Sequence, residues 1–180
     1  MLKKTGLILL ALMLAAGMVF VGCTGNSGPG SEWEITSGFT LEGHGSQLSS
    51  ITVSDKTVKM TEDSVSFMGF GIVFPKEANP DGYTWDMYTS VTVDMEITAR
   101  TKGEAKFIIK TNGNMNDDAT MVDGGNKYPQ IGNGTSVGHK ITTDHISTST
   151  LTDRVAFQHN SAGNSDIDYT VRINKITFYP

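Results

Sequence analysis

Residues 91–99 read Val-Thr-Val-Asp-Met-Glu-Ile-Thr-Ala. Val91, Val93, Met95 and Ile97 fall on one side of an extended chain, and Thr92, Asp94, Glu96 and Thr98 fall on the other. Successive side chains of a strand point to opposite faces, so this alternation requires a strand with one buried and one wet face. Other short runs rich in β-branched and aromatic residues occupy 49–54, 56–60, 105–111, 139–143 and 154–160, separated by Gly, Asn, Asp and Ser clusters. Each reads as a strand bounded by turn residues. Residues 67–74, "FMGFGIVF", are apolar on both faces, as expected of a central strand covered on both sides. The run 168–180 alternates through Tyr169, Val171 and Ile173, then slips phase at Asn174 and Lys175 before Ile176 and Phe178. Such a slip predicts a β-bulge or a bend. No amphipathic helix of about ten residues is legible. The expected fold is all-β: an antiparallel two-sheet β-sandwich, most simply a jelly roll. No repeat of about 20–50 residues is visible, which argues against a solenoid or propeller.

The N-terminus has a different texture. Lys3 and Lys4 precede a charge-free apolar run that ends at Gly22, the pattern of a secretory signal peptide. Cys23, the single cysteine of 180 residues, follows at once. The order Phe20-Val21-Gly22-Cys23 resembles the bacterial lipoprotein box. That resemblance implies cleavage after residue 22 and lipidation of Cys23, with Phe20 standing where the family usually has Leu. Several acyl chains together anchor a protein firmly where one is marginal. Thr24 in place of Asp is compatible, by the family's sorting habit, with the outer membrane. The expected location is therefore exported and lipid-anchored, on a cell or outer membrane, periplasmic or at the cell surface.

Residues 23–36 read as the lipidated cysteine and a flexible tether of Gly, Ser, Asn and Pro, and 37–180 as the sandwich domain. With no further cysteine, no disulfide holds this domain, and it must rely on its apolar core or on bound metal. Removing Lys3 and Lys4 from 14 basic residues leaves 12 against 19 acidic, a net of −7. That balance argues against nucleic acid and against electrostatic docking on anionic lipid. A monomer is expected.

Three segments, "YTWDMYTSVTVDMEITA" (83–99), "GEAKFIIKTNGN" (103–114) and "YTVRINKITFYP" (169–180), resemble strands of a non-catalytic carbohydrate-binding module of the galactose-binding-like jelly-roll type, as appended to bacterial xylanases. The resemblance implies a jelly roll that binds a polysaccharide such as a plant cell-wall glycan, and no enzyme activity. Many members carry an Asp linked to structural calcium where this chain has Asn174. An amide binds calcium more weakly than a carboxylate, so no cofactor is expected, and a structural calcium stays an open alternative.

Sugar recognition calls for flat aromatic faces and for polar groups that reach hydroxyls. Tyr83 and Trp85 sit at a turn-to-strand boundary, Tyr128 and Gln130 flank Pro129, and Arg154, Gln158, His159 and Asn160 belong to one strand and its end. These are the expected carbohydrate-binding residues, with Arg154 and Gln158 opposite Val155 and Phe157 on the strand. A sheet face of small residues with no exposed ring would weaken that reading in favour of a structural or adhesive lipoprotein that contacts a protein. A third alternative, a small jelly-roll glycosidase, rests on Asp94 and Glu96, about 7 Å apart on one strand face. Asn112, Asn114, Asn116, Asp118, Thr120 and Asp123 fall at the spacing of an EF-hand loop, but Asp117 stands where its Gly belongs and Asp123 replaces its Glu. His44, His139, His145 and His159 show no metal-ligand spacing.

Overall fold

The structure, a computed structural model, describes residues 28–65, 68–111, 130–160 and 166–180. Cys23, Tyr128 and the Asn-rich run 112–123 lie outside these residues. The described strands are β1 (Trp33–Ile35), β2 (Thr40–Gly45), β3 (Ile51–Ser54), β4 (Thr57–Glu62), β5 (Met68–Val73), β6 (Ser90–Lys102), β7 (Ala105–Thr111), β8 (Gln130–Gly134), β9 (Lys140–Thr142), β10 (Ile146–Ser147), β11 (Arg154–His159) and β12 (Ile167–Tyr179). They pair into two antiparallel sheets. A seven-stranded sheet runs β10-β6-β12-β4-β3, with β1 on β12 and β9 on β6, and a five-stranded sheet runs β2-β5-β11-β7-β8. The chain passes back and forth between the sheets, the wrapping of a jelly-roll sandwich. Helical structure among the described residues is limited to three single 3-10 turns.

The period-two residues do what their pattern requires. Val91, Val93, Met95 and Ile97 are buried on β6, facing Phe70, Phe107 and Phe157 of the other sheet in one core. The ring of Phe70 stacks on Phe157 at 5.2 Å and meets Phe107 edge-on at 5.5 Å. At one end a second aromatic group forms: Phe178 lies 5.1 Å from Trp33, 5.2 Å from Phe74 and 5.8 Å from Tyr88. The phase slip in β12 is a bulge. Ile173 pairs with Met95 and Lys175 with Asp94, so Asn174 is the extra residue. The doubly apolar run is a central strand, β5, between β2 and β11, with residues 68–72 all buried.

Two differences from expectation have clear causes. Strand β1 lies inside the stretch expected as tether, because Trp33 and Ile35 pack on the core and Trp33 pairs with Phe178. Strand β2 escapes notice because Gly43 and Gly45 interrupt its polar-apolar alternation.

Candidate functional site

The outer face of the five-stranded sheet gathers unlike polar groups, Glu42, His44, Arg154 and Gln158, around two glycines. Alternation on β11 puts Val155, Phe157 and His159 inward and Arg154, Ala156 and Gln158 outward. Register then places Gly71 beside Ala156 and Gly69 beside Gln158 on β5. On β2, Glu42 comes beside Gly71 and His44 beside Gly69. On the other flank, Lys110 pairs with Ala156 and Ile108 with Gln158. Gly69 and Gly71 leave a strip without side chains along the middle of this face.

Side chains from both flanks lean into that strip. A Cβ on Gly71 would stand 2.5 Å from His44 Nε2, so the imidazole lies directly on the glycine. Among the described residues that nitrogen has no hydrogen-bond partner, and it sits 3.9 Å from a Glu42 carboxylate oxygen. The same Glu42 oxygen accepts from Arg154 at 2.5 Å, while Arg154 also donates to both oxygens of Asp153, at 2.7 and 3.0 Å. These bonds hold the guanidinium plane in one orientation, a charge-assisted fork that a lysine would not reproduce. Among the described residues the half-buried Gln158 amide makes no hydrogen bond. The face therefore offers two free amide donors and an acceptor beside an oriented guanidinium and a carboxylate, a set that suits hydroxyl groups.

Burial lowers the His44 pKa below its ordinary 6.5; Arg154 pushes the same way, and Glu42 opposes. The folded state thus disfavours the imidazolium. The stability this provides is present above about pH 6.5 and is lost as the pH falls through the lowered value. Urea midpoints at about pH 7.5 and about pH 5 should fall more for the wild type than for His44→Gln, which has no imidazole to charge. Equal losses would remove His44 from the acid response.

Three of the expected binding residues need correction. Trp85 is only 9% exposed; its ring packs 5.2 Å from Phe74 inside the end cluster, so it offers no face for stacking. His159 is on the inner face, where β11 alternation puts it with Phe157, and shares a 2.8 Å hydrogen bond with buried Tyr169 of the opposite sheet. Asn160 is buried, and its backbone N–H donates to the Lys106 carbonyl at 2.8 Å. Tyr83 is half-buried against the core. Gln130 opens β8 opposite Ile108. Arg154 and Gln158 stand on the outer face as expected. Glu42, His44, Asp153 and the two glycines were not anticipated; Thr40, Glu42 and His44 do keep period two around Leu41, which is the signal that marks them.

On the opposite sheet Asp94 and Glu96 are each met by a cation. Arg172 donates to Glu96 at 2.9 Å, and Lys175 lies 3.9 Å from Asp94. Among the described residues no three His, Cys, Asp or Glu side chains come together as a metal site.

No protein-family profile and no curated protein sequence matches the chain. Among solved structures it is similar to the family 11 carbohydrate-binding module of a cellulosomal cellulase from Clostridium thermocellum, with 14% identity, TM-score 0.35, and coverage of 83% of this chain and 86% of that one. It is also similar to a family 11 module from Clostridium thermocellum in complex with a β-1,3-1,4-mixed-linked tetrasaccharide, with 9% identity, TM-score 0.33, and coverage of 83% and 87%.

Proposed function

We propose that this sandwich binds polysaccharide without cleaving it, through the outer face of its five-stranded sheet, and that lipid on Cys23 holds it at a membrane surface. The observation that carries the reading is the row of planar polar groups, Glu42, His44, Arg154 and Gln158, around the Gly69–Gly71 strip. Among the described residues the outward positions of β2, β5, β7 and β11 hold no Trp, Tyr or Phe. Recognition accordingly runs through hydrogen bonds to hydroxyls rather than ring stacking, and a flat or shallow contact of that kind binds weakly unless repeated along a polymer. Anchoring is the expectation from Phe20-Val21-Gly22-Cys23. It suits capture: a tethered domain keeps polymer near the cell and leaves cleavage to other proteins.

Retention in gels containing soluble xylan, β-glucan or mannan tests this. Arg154→Ala should weaken retention at least about tenfold, since a hydrogen bond to a charged group contributes about 1.5–3 kcal/mol. Gln158→Ala should cost about two- to tenfold and leave the melting temperature unchanged. Migration unaffected by any of these glycans would sink the reading. The same ring-free, small-residue strip favours one competitor, a protein partner laid flat on this face, which that negative result would leave standing.

A further inference from the structure

The seven-stranded sheet carries a cavity of its own. At the β12 bulge Asn174 stands out of the pairing between Ile173–Met95 and Lys175–Asp94. Beside it, short β9 pairs Thr142 with Asp94 and Lys140 with Glu96. Between the bulge and β9 lies a cavity of ≈ 300 Å³, lined by Asp94, Met95, Lys140, Thr142, Asn174 and Lys175. A bulge re-aims side chains and opens space in a ladder, and here it does both.

The groups lining this cavity are unequally occupied. Lys175 Nζ is fixed by Glu34 at 2.5 Å, with Asp94 at 3.9 Å. Lys140 stands opposite Glu96, but Arg172 takes that carboxylate at 2.9 Å. Among the described residues Lys140 therefore forms no ion pair. Arg172 also donates to Asn174 Oδ1 at 3.0 Å, and among the described residues the Asn174 amide N–H groups make no hydrogen bond. The Thr142 hydroxyl is exposed and makes no hydrogen bond among the described residues. The cavity thus presents one uncommitted ammonium, amide donors and a hydroxyl on one side, and the Asp94 carboxylate, an acceptor, on the other.

We propose that this cavity binds a carboxylate that carries neighbouring hydroxyls, the chemistry of a uronate or a small hydroxy acid. The carboxylate pairs with Lys140 and accepts from Asn174, and a hydroxyl donates to Asp94. A neutral sugar would leave Lys140 without a counter-charge. A dianion such as phosphate would bring a second negative charge towards Asp94 and gain no donor for it. The site is open to solvent, so its electrostatic part is modest and screened by salt. It lies on the sheet opposite the polysaccharide face and does not depend on that reading.

Amide chemical shifts of the whole chain, titrated with galacturonate, a galacturonate oligomer and glucose, test the proposal. The acid should move the amides of Thr142, Asn174 and Lys175, and glucose should not. Raising salt from about 20 to about 200 mM should weaken the binding severalfold. Lys140→Met should weaken it about two- to fivefold while the melting temperature stays put. Binding of the oligomer in preference to the monomer assigns a polymeric uronate, and the reverse a free hydroxy acid; either supports the site. No shift with the acid, equal shifts with glucose, or undiminished binding by Lys140→Met would overturn it.

Discussion

Trp85→Ala is expected to lower stability by about 3–5 kcal/mol, the usual cost of truncating a large buried ring. The indole sits in the 3-10 turn Trp85–Met87, 9% exposed, and packs on Phe74, which in turn meets Phe178 edge-on at 5.2 Å. Its removal leaves a cavity where the connection into β6 closes one end of the sandwich. Chemical denaturation should show the midpoint falling with the slope unchanged. Any loss of glycan retention in this variant should follow the unfolded fraction and vanish at lower temperature, where the chain refolds. A variant with native stability and abolished retention would instead make Trp85 a ligand contact.

Gly132→Val is the second large effect. Gly132 has φ = 104°, in the region that L side chains avoid, and pairs with Lys106 at a register shift of β7. A Cβ there would stand 2.3 Å from the Ala105 carbonyl oxygen and 3.0 Å from Lys106 Cα, backbone atoms that cannot swing aside. The left-handed conformation costs about 1–2 kcal/mol and overpacking about 1–3 kcal/mol. Because β8 is the edge strand, its detachment limits the global loss to the energy of that one pairing. Hydrogen exchange should therefore quicken at the β7 amides that face β8 before the rest of the five-stranded sheet opens. Uniform exchange across both sheets would show that β8 and the core unfold as one unit.

The fold was legible where strands are long and two-sided. The alternation of Val91, Val93, Met95 and Ile97 and the slip at Asn174 each appear in the structure as a buried row and a bulge. Strands β1, β8 and β10 were not legible: β1 adjoins the Gly, Ser and Pro of the tether, Gly132 and Gly134 interrupt β8, and β10 holds two residues. The candidate site was legible only in part for a related reason. Arg154 and Gln158 follow from the phase of β11 alone. Glu42, His44 and the glycine strip come from strands brought alongside by long-range pairing that no local pattern encodes. Trp85 misleads because a tryptophan among Gly, Tyr, Thr and Asp looks like a loop residue, while its burial is decided by Phe74, eleven positions earlier in the chain.

The most direct measurement is the amide spectrum of the whole chain during titration with neutral oligosaccharides from xylan, β-glucan and mannan. Binding on the proposed face should shift the amides of Glu42, His44, Gly69, Gly71 and Gln158, with the Asn174 region silent. No shift with any glycan, or shifts confined to the seven-stranded sheet, would contradict the assignment of this face as the polysaccharide-binding surface.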